Sequence, residues 1–410
     1  MLISAKRASV TILLPTFNRD KMIAESIESI LCQTWLPGEI IVIDDGSTDQ
    51  TEAVVRRFGE RVWYVRQDNG GKSTAINRGL GLAKGDFILV MDDDDLLPPD
   101  AIERHMLALS QNPGADFSYG RFSRFRGASS NAPVSTDVEP IPADDHRRLV
   151  IKLMERCYLT NPTWMVRTSA QRRSGLYDEK LKRGQDFDML LRLARHNEGV
   201  LVDHIVLWQR DHVAPRGQDS ECVTTNVTIN LWIRYNLLMI EKLDSEWSDE
   251  DFRPYINFPD RQMRLAVLQR ATLMLVHRAY RRGAVHLDRY LTMLGTEEPT
   301  DDELFAASYL LGNRHGIENL FIRNSPLEML LGSRRIPQSL RLAFAFELRW
   351  RLVRAVRRFW PARFVHLIRF GVRVFGFWVL AQLAFQNWGE QRRTRGITVR
   401  SAHNDEIVSS

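Results

Sequence analysis

Cysteine is scarce in this chain, with three among 410 residues. Cys32, Cys157 and Cys222 lie too far apart for a disulfide framework or a zinc site, so they read as reduced thiols of a cytosolic protein. Long apolar runs are also missing. The opening stretch MLISAKRASVTILLPTFNRD lacks the apolar core and cleavage site of a signal peptide, and its apolar part suits a strand. The stretch VFGFWVLAQLAF, 374–385, is shorter than the roughly 18 residues of a membrane-crossing helix, and Arg373 and Gln382 interrupt its surroundings. No internal repeat is found. NGGKSTAINRG lacks the spacer of a Walker loop, and the GxG pair in GLGLAKG, 79–85, sits between a helical segment and a strand, the wrong context for a dinucleotide.

What remains is an ordinary globular composition, 44% hydrophobic and 26% charged, which excludes wholesale disorder and collagen-like chains. At 410 residues it predicts a catalytic domain plus a sizeable second module. The net charge of +5 is unevenly spread: from Arg334 to Arg373 there are eleven arginines and one acidic residue, Glu347. Projected at about 100 degrees per residue, Leu348, Leu352, Val356 and Phe359 share one helical face and Arg351, Arg354 and Arg358 another. Such a helix lies on an anionic bilayer surface rather than crossing it. The alternative is a basic helical bundle packed on the catalytic domain. Peripheral attachment to the inner face of the cell membrane is therefore expected, with no nucleic acid as partner.

From residue 10 to 110, short apolar runs alternate with amphipathic stretches: VTILL, 21–33, EIIVID, 49–58, VWYV, 72–83 and FILVM. This is the pattern of an α/β fold, a largely parallel sheet with helices on both faces. Parallel sheets hold their sites at the carboxyl ends of strands. Three strands end in PTFNRD, DDGSTD and DDDD, so their polar clusters should converge on one edge. Residues 111–150 read as a less regular connection with short strands near FSYGRFSRF, and LVDHIVLWQ as a further strand. Beyond 222 the spacing is mostly helical. The expected division is a catalytic domain 1–221, a helical extension 222–337, basic amphipathic helices 338–388 and a flexible tail 389–410.

Four consecutive aspartates, Asp92 to Asp95, repel one another, and a hard divalent cation with oxygen ligands resolves the conflict. Asp92 and Asp94 are expected to divide nucleotide and metal between them. Asp95, ahead of LLPPDAIERH, reads equally well as a helix cap. Asp44 and Asp45 close EIIVI before a Gly-Ser turn and suit hydrogen bonds from a base or ribose, or an Asx-turn. The helix opened by NGGK offers its amides and Lys72 to an anion. In RGQDFDMLLRLARH, Asp186 and Asp188 stand in a first helical turn, where one of them suits a general base for an acceptor hydroxyl and both suit plain helix stabilisation. His212, in QRDHVAPRG with Arg210 and Arg216 nearby, is a candidate metal ligand or phosphate contact.

Together, VTILLPTFNR, ESILCQTWLPGEIIVIDDGSTD, NGGKSTAINRG, GDFILVMDDDDLLPPD and SGLYDEKLKRGQDFDMLLRLA resemble the family 2 glycosyltransferases in order and spacing, over about residues 8–215. The resemblance implies the GT-A fold, a nucleotide-diphosphate sugar donor, most often with UDP, and an inverting displacement assisted by Mn2+ or Mg2+. It implies that Asp92 and Asp93 contact the donor, Asp94 the metal, and Asp45 the base, with Pro15 and Phe17 lining the base pocket. Asp186 matches the carboxylate that deprotonates the acceptor, a glycan or lipid-linked hydroxyl of the kind used in bacterial cell-surface polysaccharide synthesis. Two departures stand out: Gln185 replaces a common glutamate beside Asp186, and Ile76 replaces an arginine for which Lys72 is the substitute. Two other readings are weighed, a degenerate glycan-binding relative and a sugar-phosphate nucleotidyltransferase. The intact acidic motifs oppose the first, and PTFNRD opposes the second because no glycine-rich loop follows the first strand.

Overall fold

The structure is a computed structural model that describes residues 8–125, 137–141, 148–211, 225–255, 263–308, 330–331, 333 and 335–345. Contacts divide the chain into two compact units, the first Met1–Pro142 with Cys157–Tyr235 and the second Ala143–Arg156 with Asn236–Ser410. Of the expected basic helices 338–388, only the first eight residues are described, and the expected tail 389–410 lies outside the described residues.

The first unit alternates strands and helices in the expected way: β1 (Val10–Thr16), α1 (Ile23–Leu31), β2 (Glu39–Asp44), α2 (Thr51–Arg56), β3 (Trp63–Arg66), α3 (Lys72–Leu82), β4 (Phe87–Val90) and α4 (Ala101–Gln111). Then come β5 (Phe117–Phe125), β6 (Asp137–Val138), β7 (Trp164–Arg167), α6 (Thr168–Ser174), α7 (Gln185–His196) and β8 (Gly199–Arg210); α5 (Leu149–Glu155) falls in the second unit. The eight-stranded sheet runs β3-β2-β1-β4-β7-β5-β6, with β8 also paired to β5. This mixed α/β sheet is of the GT-A type that the motifs imply.

Burial on both faces explains the composition of the central strands. All seven residues of β1 and all four of β4 are buried, which suits near-continuous apolar runs. In α1 the apolar positions Ile23, Ile27 and Ile30 follow helical spacing and are fully buried; each contributes about 1.5–3 kcal/mol by leaving water. Pro15 is accommodated for a geometric reason. Leu13 O accepts from Met91 N on the β4 side and Thr16 O from Asp45 N on the β2 side. By alternation the nitrogen of Pro15 faces the β4 side, beyond Leu13, the last residue that pairs with β4, so no ladder bond is lost. Gly79 lets α3 approach the sheet, because a Cβ there would lie 2.8 Å from Ile43 Cδ1.

Strand direction organises the functional edge. β1, β2, β3 and β4 are mutually parallel, β7 is antiparallel to β4 and to β5, and β8 is parallel to β5. Two reversals restore the original sense, so the ends of β5 and β8 emerge on the same edge as the ends of β1, β2 and β4. The short strands expected near FSYGRFSRF, within the less regular connection 111–150, form a single nine-residue strand inside the sheet. Its residues Phe117, Phe122 and Phe125 are buried, and that packing carries the strand across its Gly and Ser positions.

The second unit is helical. Besides α5 it contains the later part of α8 (Thr225–Glu246), then α9 (Met263–Val276), α10 (Tyr280–Leu294), α11 (Asp301–Ser308) and α12 (Gln338–Ala345). Every residue of α9 from Leu265 to Val276 is buried, as expected of a helix enclosed by its neighbours. Val267, Leu268, Leu275, Leu287, Tyr290 and Phe344 share one core cluster. Within this unit Asp244 is 4% exposed. Its carboxylate accepts from Arg270 Nε at 2.7 Å and Arg282 Nη1 at 2.8 Å, and pairs with His286 Nε2 at 2.9 Å. These partners hold the carboxyl well below its ordinary range against the opposing effect of burial.

Candidate active site

The four aspartates after β4 form a turn in which each has its own surroundings. Lys72, at the start of α3, donates to Asp92 Oδ1 at 2.6 Å. Arg19, from the loop after β1, faces Asp93 Oδ1 at 3.4 Å. Arg210, the last residue of β8, donates through Nε to the main-chain oxygen of Asp94 at 2.8 Å, and its own N–H donates to Asp95 Oδ1 at 2.8 Å. Ser26 of α1 donates to the main-chain oxygen of Asp95 at 2.8 Å. The cations come from separate elements because the sheet brings those elements to one edge.

This arrangement corrects the reading of Asp95 as a helix cap. The next helix, α4, begins only at Ala101, with Asp100 at its cap position. Asp95 is instead 2% exposed and ties the turn to β8, which continues its pairing through the Leu96–Trp208 bridge.

Carboxylate oxygens of Asp92, Asp94 and Asp95 lie within 4.8 Å of one another. An all-oxygen, acidic donor set fits a hard divalent cation such as Mg2+ or Mn2+. His212, the other metal candidate, lies outside the described residues.

Electrostatics mark the turn as a place where negative charge is crowded. Burial, then the charge of Asp94, pushes the carboxyl of Asp93 up to about 7 against the pull of Arg19. Burial also raises Asp92; Lys72 opposes this, while Asp94 and Asp186 add to it. Lys72 is raised: burial would lower it, but Asp92 outweighs that, and Asp186 and Asp94 act in the same direction. Upward carboxyl shifts of this kind are a feature of functional sites. They also bring Asp186 into the field of the acidic turn.

Asp186 stands in the first turn of α7, whose N-cap Gly184 has φ 74°, a left-handed conformation suited to glycine. Its Oδ1 accepts from Phe187 N at 2.9 Å and its Oδ2 from Thr160 Oγ1 at 3.3 Å. Asp188 differs: it is fully buried and accepts from Arg192 Nε and Nη2 at 2.9 and 2.8 Å, a bridge internal to α7. Of the two carboxylates read as base candidates, Asp186 is the one beside the acidic turn. Asn77 helps to hold this side, because its amide accepts from Tyr177 N at 2.8 Å and donates to Tyr177 O at 3.0 Å.

The remaining candidates line the ends of β1 and β2. Pro15 is buried and Phe17 half-buried. Asp44 is fully buried; it accepts from Ser47 N at 2.7 Å and from Tyr64 Oη at 2.6 Å. It holds the Gly46–Ser47 turn through the amide three residues on. Asp45 accepts from Gln67 Nε2, Gly70 N and Gly71 N, each at 2.8 Å. The amides ahead of α3 therefore face an anion as expected, but the anion is the protein's own carboxylate. Ile76 is fully buried, part of the core rather than the site.

Sequence reasoning noted Arg210 only as a neighbour of His212 and passed over Arg19, Glu25 and Thr160. A sequence signal for Arg210 exists: it is a charged residue closing the long strand pattern GVLVDHIVLWQR, at the edge where the acidic motifs were expected.

Residues 11–173 match the family model described as Glycosyl transferase family 2. An uncharacterized glycosyltransferase of Rickettsia typhi is 29% identical over 231 residues, which is 56% of this chain and 70% of that protein. The putative colanic acid biosynthesis glycosyl transferase WcaA of Escherichia coli is 30% identical, covering 45% of this chain and 65% of WcaA. Among solved structures, S. aureus TarS 1-349 in complex with UDP-GlcNAc aligns over 85% of this chain and 87% of that one, at 15% identity and a TM-score of 0.47. The chain is a glycosyltransferase. Its first unit carries a family 2 domain, and it is related to enzymes of polysaccharide biosynthesis.

Proposed function

We propose that the first unit transfers a sugar, with inversion, from a nucleotide-diphosphate donor, UDP-linked in the first instance, to a hydroxyl of a glycan or lipid-linked acceptor in bacterial surface polysaccharide synthesis. The reading rests on one observation above the rest: Lys72, Asp92, Asp94 and Asp186 share one electrostatic neighbourhood. Asp186 takes the proton of the acceptor hydroxyl, and that oxygen bonds to the anomeric carbon as the bond to the diphosphate breaks. The electron pair leaves with the nucleoside diphosphate, whose charge the Lys72 ammonium faces. Asp94, with Asp92 and Asp95, holds the divalent ion, which when bound supplies further stabilisation of the departing diphosphate. Asp93 contacts the donor, and Asp45, Pro15 and Phe17 stand at the base side. Asp44 leaves that set and organises the loop.

A screen of UDP- and GDP-sugars for nucleoside diphosphate release, with and without Mn2+ and with acceptor extracts, tests the reaction class and the donor together. Metal-dependent release from a single donor class is expected. Neither release nor nucleotide binding with any donor overturns the reading.

The acceptor is placed at an anionic membrane surface on the arginine-rich composition of 338–388. No helix among the described residues is long and apolar enough to cross a membrane. Deleting 338–388 is expected to move the chain from the membrane fraction to the supernatant. An unchanged distribution overturns the surface placement.

A further inference from the structure

A turn of four aspartates needs something to hold its shape before any cation arrives. Lys72 and Arg19 engage carboxylates, those of Asp92 and Asp93. Arg210 acts differently. Its Nε donates to the main-chain oxygen of Asp94, so it fixes the peptide that carries this residue. Its Nη2 lies 2.6 Å from Glu25 Oε2 on α1, and its guanidinium stacks over the Phe125 ring at 4.7 Å. Arg210 is 5% exposed, and its main-chain N–H holds the Asp95 carboxylate. One residue at the end of β8 thus joins α1, the end of β5 and both of the last two aspartates.

We propose that Arg210, oriented by Glu25 and Phe125, is a positioning residue that sets the acidic turn in its cation-receiving shape. The proposal rests on the reading of Asp92, Asp94 and Asp95 as the divalent-cation site. The guanidinium is suited to the task because its planar fork donates in two directions at once, to Asp94 O and to Glu25, and its face stacks on an aromatic ring. A lysine offers one ammonium and cannot reproduce both contacts in one plane. Outer residues that orient metal ligands typically change metal affinity by about 10–100-fold when replaced.

The test is Mn2+ binding by the full chain, read by the loss of the free-ion EPR signal in the presence of UDP, together with thermal unfolding. Wild type is expected to bind and Asp94→Asn to lose binding. Arg210→Lys is expected to weaken binding by about tenfold or more. Glu25→Gln keeps an oxygen acceptor for the guanidinium but removes the charge, and a loss of about threefold is expected, with the melting temperature close to wild type. Should Arg210→Lys fail to fold, Glu25→Gln alone decides. Affinity within experimental error of wild type in the folded variants, while Asp94→Asn has lost it, overturns the positioning role but leaves the cation site standing. Wild type that binds no Mn2+ overturns the cation site and the positioning role together.

Discussion

Aspartate is used in opposite ways in the two units. In the second unit a single buried carboxylate, Asp244, is surrounded by Arg270, Arg282 and His286, and its carboxyl is held low. In the first unit four aspartates crowd one turn, and burial with mutual repulsion raises the carboxyls of Asp92 and Asp93. Excess positive charge around one acid makes a structural cross-link whose removal strands several cations. Excess negative charge on one turn suits it, on the proposed reading, to receive a further cation, at a cost in stability. The difference is one of charge balance, since burial opposes ionisation in both places.

The comparison predicts that site substitutions break activity and spare the fold, while substitutions at Asp244 do the reverse. Asp186→Asn should have the largest effect, lowering turnover by about 10²–10⁴-fold, the range for loss of a general base; Mn2+ binding measured alongside should be unchanged. Asp94→Ala should lower turnover by about 10²–10³-fold and abolish the Mn2+ requirement of whatever rate remains. Its melting temperature should equal or exceed that of wild type, because a repelling charge has gone. A clear fall in melting temperature would mean that the acidic turn is structural after all.

Asp244→Asn should cost about 3–5 kcal/mol in urea unfolding, the usual penalty for breaking a buried ion pair from one side. Lys72→Met should have a smaller effect, raising the donor KM by about tenfold through loss of one charged contact, with chemical turnover less affected.

The smallest expected effect is a pH slope. Because the carboxyl of Asp244 is held below its ordinary value of 3.8 in the folded chain, the unfolded chain binds more protons just below that value. The stabilisation is complete above about pH 4 and is lost as pH falls toward the folded value. Wild type should therefore lose stability faster than Asp244→Asn on acidification below that point. Parallel curves would show that the cluster is not a pH-linked cross-link.

Much of the first unit was legible from residue order. Apolar runs broken by amphipathic stretches marked β1 to β4 and the intervening helices, because a strand buried on both faces has few alternatives to a continuous apolar composition. The middle of the chain was harder. Short strands are expected near FSYGRFSRF, and the structure joins them into one strand, Phe117–Phe125, because pairing with β7 and β8 supplies what local propensity does not. The roles of individual aspartates were least legible. Asp92, Asp93, Asp94 and Asp95 are chemically identical, and only the partners brought by α3, the loop after β1 and β8 distinguish them. The same holds for Asp44 beside Asp45 and for Asp188 beside Asp186.

Sequence by itself determined the α/β class and the sheet edge where the acidic motifs gather, because hydrophobic period and the order of elements along the chain survive without coordinates. Tertiary structure decided the rest: that Asp95 binds a strand rather than caps a helix, that Asp45 occupies the amides ahead of α3, and that Arg210 arrives at the acidic turn. The first and last of those outcomes depend on the double reversal through β7. It turns β5 and β8 to the same sense as β4, and so sets a buried arginine against aspartates more than a hundred residues earlier in the chain.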